Sequence, residues 1–326
     1  MTIIPDILII ALPSFTVSAL LAFLVYMYGH KISLIDTPNN RSSHSTPTPR
    51  GGGIGIWMVY TGIGFYSSQD YTLILTTSSM GLLGLIEDCF KLSSKLRLTM
   101  QTILAIMAIY KYDISYMTII LIFFIVGTTN FYNFMDGING IAGLSGVVSF
   151  GLTAYFSYYH LNEPVIAVIS ISLSSACLGF LVLNLPNGKV FMGDIGSLLL
   201  GFSLALFIIK LSLNIEIFIC LIMFLCTFYA DALVTVFYRW KNCENLMQAH
   251  RKHLYQYLSN ELGLAHWKVS VIYTGIHLVF GASALFAYTK GIVWQITVVF
   301  VFSLMFLVCY KYIKNLQPRF VSTAHD

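Results

Sequence analysis

Polar side chains suited to chemistry stand in this chain where long apolar runs end. The stretch 130–140, NFYNFMDGING, closes the apolar run Met117–Thr129 and sets Asn133, Asp136 and Asn139 three residues apart. On a helix that spacing makes one polar stripe. Leu183–Phe202, LNLPNGKVFMGDIGSLLLGF, places Asp194 between Gly193 and Gly196, with Ser197 following, at the head of another apolar run. A helix N-terminus there offers free N–H groups to phosphate. An acid at that place also suits an N-cap, and the residue types leave both roles open. Gly84–Gln101, GLIEDCFKLSSKLRLTMQ, ends an apolar segment on Glu87 and Asp88, and Lys91, Lys95 and Arg97 follow. Adjacent helical positions do not share a face, so the two acids address different partners. Snorkelling at a lipid interface accounts for the lysines but not for the paired acids.

Two further segments carry cations. Asp36–Ile56, DTPNNRSSHSTPTPRGGGIGI, is kept extended by Pro38, Pro47 and Pro49, and Gly51–Gly53 allow close backbone approach. A flexible loop with glycine-mediated helix packing is one reading; an anion site built from Arg41, His44 and Arg50 is the other. Tyr238–Lys268 contains AHRKHLYQYL, with His250 and His253 flanking Arg251 and Lys252. The HExxH pattern of a zinc protease is absent, and histidines beside Arg and Lys suit phosphate better than a cation. Asp231, seven residues before that segment, lies in or at the edge of an apolar run, where acids are functional candidates by default.

Together these segments offer hard oxygen ligands suited to Mg²⁺, or Mn²⁺ in its place, shared with substrate phosphates. The surrounding cations suit the remaining phosphate oxygens. A site of this kind at a lipid boundary implies one water-soluble and one lipid substrate, and no nucleic acid.

The elements that must position these residues are apolar helices. Of 326 residues, 57% are hydrophobic and only 10% charged, with a mean hydropathy of +0.78. Soluble domains carry about a quarter charged residues, so a bilayer is the natural solvent. Apolar segments fall at about 5–29, 52–66, 71–86, 98–110, 117–133, 141–159, 165–184, 196–211, 215–237, 269–288 and 291–311. The expectation is an all-α polytopic membrane protein of about eleven (10–11) transmembrane helices, forming a single domain over 1–326. Segments 52–66 and 98–110 are short for a span of ~17–25 residues, and continuous runs argue against a barrel.

With the N-terminus outside and the C-terminus cytoplasmic, fifteen of the eighteen Lys and Arg residues fall in inner loops, as the positive-inside rule asks. The motif segments 30–51, 87–97, 134–140, 185–195 and 238–268 then share the cytoplasmic face. No Lys or Arg precedes Lys31, so a cleavable signal peptide is not expected. Six scattered cysteines without CxxC spacing read as free, buried thiols.

In order, DTPNNRSSHSTPTPRGGG, GLIED, NFYNFMDGINGIAG, VFMGDIGS and AHRKHLYQ resemble motifs of the polyprenyl-phosphate N-acetylhexosamine-1-phosphate transferases, glycosyltransferase family 4. The resemblance runs from about Asp36 to Tyr257 and looks nearest to the bacterial O-antigen-initiating members. It implies an inner-membrane, Mg²⁺-dependent phosphotransferase. Such an enzyme transfers N-acetylhexosamine 1-phosphate from a UDP-sugar to undecaprenyl phosphate, releasing UMP. It further implies Asp194 and Asn133 as metal ligands, and Asp88, Glu87 and Asp136 as the catalytic carboxylates. Phe191 would stack on uracil and Asn139 would read the base edge. Arg97, His250, Arg251, His253 and Arg50 would hold pyrophosphate and sugar.

Two departures from the family pattern matter. The acidic pair is usually Asp-Asp, and Glu87 is one methylene longer, which places the chemistry on Asp88. Asn139 stands where many members carry Asp, so a base or metal role there is not expected. A homodimer is an assembly the sequence allows. The rival reading is a lipid-linked sugar transporter or flippase, but transporters gather polar residues at the midplane of repeated halves, and no repeat is visible. A CDP-alcohol phosphotransferase needs DGxxAR, which DGINGIAG lacks.

Overall fold

The computed structural model describes residues 3–31, 34–38, 43, 46–90, 92–110, 116–246, 248 and 250–316. Arg41 and His44 lie outside them. The chain is all-α. Each apolar segment becomes helical: α1 (Ile3–Tyr28), α2 (Ile54–Ser67), α3 (Tyr71–Phe90), α4 (Ser94–Ile109), α5 (Tyr116–Phe134), α6 (Ile141–Tyr159), α7 (Pro164–Asn184) and α8 (Asp194–Leu211). Then come α9 (Ile215–Met223), α10 (Cys226–Lys241), the short α11 (Leu254–Gln256), α12 (His266–Tyr288) and α13 (Ile292–Lys314). Among the described residues, eight helices are long and apolar enough to cross a membrane. α2 and α4, at 14 and 16 residues, are the two segments already short in the sequence.

The expected span 215–237 is not one helix. It breaks between α9 and α10 with a bend of 86°. No proline causes the break. Ser149 Oγ donates to the Phe224 carbonyl over 2.6 Å, and the Thr227 hydroxyl bonds His277 Nε2, so neighbouring helices satisfy polar groups at the break. The two ends of the first polar segment are joined as strands. β1 (Ile35–Asp36) pairs antiparallel with β2 (Thr48–Pro49). The cysteines are free as expected, but Cys89, Cys243 and Cys309 are exposed rather than buried.

α8 is buried along nearly its whole length, whereas α1, α5 and α13 leave most of their apolar surface outward. Such outward surface is stable only against lipid. α8 packs on α3 and α5, so three motif-bearing ends are brought side by side. The α3–α8 approach requires Gly84: a Cβ there would lie 2.5 Å from the Ile195 nitrogen. Similarly, a Cβ at Gly53 would lie 2.5 Å from Gly196 Cα, which lets the first loop lie on the head of α8. Connections at the opposite end are short, as between α2 and α3 or α12 and α13.

Candidate active site

The site is organised around the N-terminus of α8. Asp88, one turn beyond Gly84 on α3, is buried to 2% exposure. Its Oδ1 accepts the Asp194 N–H over 3.1 Å and its Oδ2 accepts the Ile195 N–H over 3.2 Å. Gly193 occupies the capping position of α8 and offers no side chain, so the cap comes from another helix. A carboxylate at this end also complements the helix dipole. Arg50 donates to the Asp88 carbonyl, and its Nε lies 3.6 Å from Asp88 Oδ1. Asp194 is therefore the first residue of α8 and not its N-cap.

Freed from capping, the Asp194 carboxylate faces other elements. Asn133 Nδ2 donates to Asp194 Oδ1 over 2.8 Å and to Ser197 Oγ over 2.9 Å. Asp194 Oδ2 lies 3.9 Å from Arg97, which lies 3.5 Å from Glu87 Oε1. Glu87 Oε2 is buried without a hydrogen-bond partner. The expected helical stripe does not form: α5 ends at Phe134, so Asn133 is helical while Asp136, which is half-buried, and Asn139 lie in the turn that follows. Burial first, and then the charges of Asp194 and Asp88, push the Asp136 carboxyl well above the usual carboxylate range.

Phe191 and Asn139 belong to one lip of the site. Phe191 forms a parallel bridge with Arg50, donating its N–H to the Pro49 carbonyl over 2.8 Å. The Asn139 amide donates to the Pro186 carbonyl over 3.3 Å and packs on Gly188. Sequence reasoning missed Asn184, whose Oδ1 accepts the Gly140 N–H over 2.6 Å while its amide donates to the Val190 carbonyl over 2.9 Å. Gly140 has φ +91°, a conformation that favours glycine. The NG that follows Pro186 in LNLPNG signals a turn; nothing in it signals this long-range bond.

The fifth segment is held by Asp231. Its carboxylate accepts from the Leu254 N–H (2.9 Å), the Tyr255 N–H (3.2 Å) and the Tyr273 hydroxyl (2.7 Å), with His253 Nδ1 at 3.3 Å. Tyr255 then donates its hydroxyl to the Phe134 carbonyl over 2.8 Å, which fastens this segment to the Asn133–Asp136 turn. The His250 and His253 rings are 4.9 Å apart. Burial, followed by the neighbouring His253 and Arg239, lowers His250 to about 4. Arg251 does not join the Asp194 cluster by a direct contact; it lies 3.8 Å from Glu261 on the surface. Tyr255 and Tyr273 were also missed, since a tyrosine near an apolar run carries no signal of its partner.

Among the described residues, no three His, Cys, Asp or Glu side chains are grouped closely enough to enclose a metal. The donors fit the open kind of magnesium site, in which one or two carboxylates hold the ion and phosphates and waters complete it. Asp194 and Asp136 are hard oxygen donors, and a divalent cation would relieve the repulsion from Asp194 and Asp88 that adds to burial in lifting Asp136.

Residues 71–212 match the family model described as glycosyl transferase family 4. The chain is 26% identical over 298 residues to a Bacillus subtilis protein named as a probable undecaprenyl-phosphate N-acetylglucosaminyl 1-phosphate transferase, covering 83% of this chain and 82% of the relative. It is 29% identical over 226 residues to the phospho-N-acetylmuramoyl-pentapeptide-transferase of Oceanobacillus iheyensis, covering 59% and 69%. An undecaprenyl-phosphate alpha-N-acetylglucosaminyl 1-phosphate transferase of Thermotoga maritima is 26% identical over 192 residues, covering 57% and 60%.

Proposed function

We propose, from the match of residues 71–212 to glycosyl transferase family 4 and the likeness to its undecaprenyl-phosphate relatives, that the chain is a member of that family and transfers N-acetylhexosamine 1-phosphate from a UDP-sugar to undecaprenyl or another polyprenyl phosphate. One observation supports this reading above others: five segments scattered from Pro49 to Tyr255 join around the N-terminus of a single buried helix. They bring carboxylates, an amide, two arginines and two histidines to one end of the bundle.

A phosphate oxygen of the lipid attacks the β-phosphorus of the UDP-sugar. The bond from that phosphorus to the bridging oxygen breaks, and UMP leaves with the oxygen. Positioning and charge neutralisation are what such a transfer asks of a protein. In this reading Asp194 and Asp136, with Asn133 orienting Asp194, would hold Mg²⁺, which neutralises phosphate charge when bound. Arg97, Arg50 and the His250–His253 segment hold phosphate and sugar, while Phe191 and Asn139 form the uridine lip. Asp88 spends both carboxylate oxygens on α8, so it acts as scaffold. Glu87, held 3.5 Å from Arg97, is the acid placed to take a proton from the lipid phosphate.

The Lys/Arg asymmetry supports a cytoplasmic motif end and an N-terminus outside, and the resemblance of the motifs to bacterial O-antigen-initiating members supports an inner-membrane place and a role in starting an O-antigen or similar envelope polysaccharide. The test is to incubate membranes holding the protein with Mg²⁺, undecaprenyl phosphate and a panel of UDP-N-acetylhexosamines. UMP release that requires the lipid, with a lipid-pyrophosphoryl-sugar identified by mass, is the expected result. Sugar movement across vesicles without UMP would overturn it in favour of a transporter.

A further inference from the structure

The last helix, α13, carries none of the chemistry-bearing motifs, yet its end grips the segment that carries His250 and Arg251. Lys314 donates its ammonium to the Lys252 carbonyl over 2.9 Å. The same ammonium sits 4.5 Å above the Tyr257 ring and 5.7 Å from the Tyr310 ring. Tyr257 returns the contact, donating its hydroxyl to the Leu316 carbonyl over 2.7 Å. Tyr310 stacks on Tyr238 at 5.7 Å and 7°, so the end of α13 is itself fixed against α10. On the far side, Asp231 and Tyr273 hold residues 253–255. Between the two anchors, Lys252 Nζ donates to Glu244 over 2.6 Å, and Glu244 meets Arg239 at 3.2 Å.

We propose that Lys314 is a positioning residue: by holding the Lys252 carbonyl and the Tyr257 ring, it sets His250 and Arg251 for the phosphate and sugar of the donor. One cation thus ties a backbone carbonyl and two rings together at this junction. His250 and Arg251 immediately precede the gripped carbonyl, so its displacement moves both. The catalytic consequence rests on the transferase reading; the structural consequence does not.

Two measurements on the full-length protein in detergent separate them. Lys314→Met keeps the stem and removes the charge. Hydrogen exchange without ligand is expected to show amides 250–256 exchanging at least fivefold faster in Lys314→Met, with those of α3 and α8 unchanged and Lys314→Arg near wild type. Unchanged exchange at 250–256 overturns the proposal whatever the protein's activity. In UMP release, with a UDP-N-acetylhexosamine that the wild type turns over, the KM for that sugar nucleotide is expected to rise about fivefold or more while kcat falls less than twofold. A fall in kcat at constant KM would mean only lost folded protein and would overturn the positioning role. Failure of the wild type on every sugar sinks the transferase reading and leaves the exchange result standing.

Discussion

Asp88 and Asp194 meet through the backbone of one and the carboxylate of the other: the Asp194 N–H donates to Asp88 Oδ1 over 3.1 Å, while Ile195 donates to the second oxygen. The acid closing α3 thus completes α8, and the side chain of Asp194 is left to work on the site. Adjacent acids in the sequence are divided by this geometry. Asp88 is buried against α8, and Glu87 turns to Arg97 at 3.5 Å.

That division has opposite consequences for the two acids. Asp88→Asn keeps the shape but removes the charge that faces Arg50 and the head of α8. The amide has one acceptor oxygen where the carboxylate has two, so one of the two α8 N–H groups loses its partner; an unsatisfied buried donor costs about 1–3 kcal/mol, and a lower melting temperature and lost turnover are expected together. Glu87→Gln leaves α8 capped and is expected to keep the wild-type melting temperature while UMP release drops by about 10²-fold, the lower range for removing a general base. Equal melting temperatures for wild type and Asp88→Asn would show that Asp88 is not the cap.

Asp136 gives a pH prediction. Its folded-state pKa lies above the unfolded value of about 3.9. An acid shifted upward weakens the fold as pH rises between those two values, and the full cost persists above the higher one. Metal-free protein is therefore expected to melt lower at pH 7 than at pH 5 by a component that Asp136→Asn removes. Mg²⁺ at pH 7 is expected to restore stability in the wild type and to do less in Asp136→Asn. A Mg²⁺ effect of equal size in both would remove Asp136 from the metal site.

Asp231 makes a further case. Asp231→Ala leaves the Leu254 and Tyr255 N–H groups and the Tyr273 hydroxyl without their acceptor. An unsatisfied buried donor costs about 1–3 kcal/mol, so a loss of about 3 kcal/mol or more is expected on unfolding. Protease cleavage between 242 and 256 should also quicken, because α11 and the histidines are fastened there. Intact cleavage resistance would refute the anchoring role.

Much of this was legible in the sequence. Apolar run lengths gave the helices, including the two short ones, because lipid leaves helices few alternatives. The polar segments at run ends marked residues that the fold brings to the head of α8, since polar groups near lipid are candidates for function by default. Partner choice was not legible. Asp88 reads as an acid placed for chemistry, and Asp231 as a membrane acid; both instead satisfy backbone N–H groups of another segment, a relation set by how helices pack. The break at 224–225 was hidden for the same reason: the run 215–237 is continuous in hydropathy, and its bend is supported by Ser149 and His277 from elsewhere.

Asn139 carries the last prediction. Its amide bonds the Pro186 carbonyl and its main-chain oxygen accepts the Ser270 hydroxyl over 2.7 Å, so the residue joins the turn after Asp136 to the turn before Phe191. A neutral amide takes no proton at working pH, and its contacts lie on the lip proposed above for uridine. Asn139→Ala removes one side-chain bond and loosens the lip without touching Asp194 or Glu87. The KM for the UDP-sugar is expected to rise about tenfold while kcat stays within threefold of wild type, measured by UMP release at saturating polyprenyl phosphate. Competition by free UMP should weaken in parallel, because the lost contact belongs to the nucleotide and not to the sugar. If Asn139→Ala stopped turnover at unchanged UDP-sugar affinity, the residue would belong to the reacting centre and the nucleotide would have to lie elsewhere.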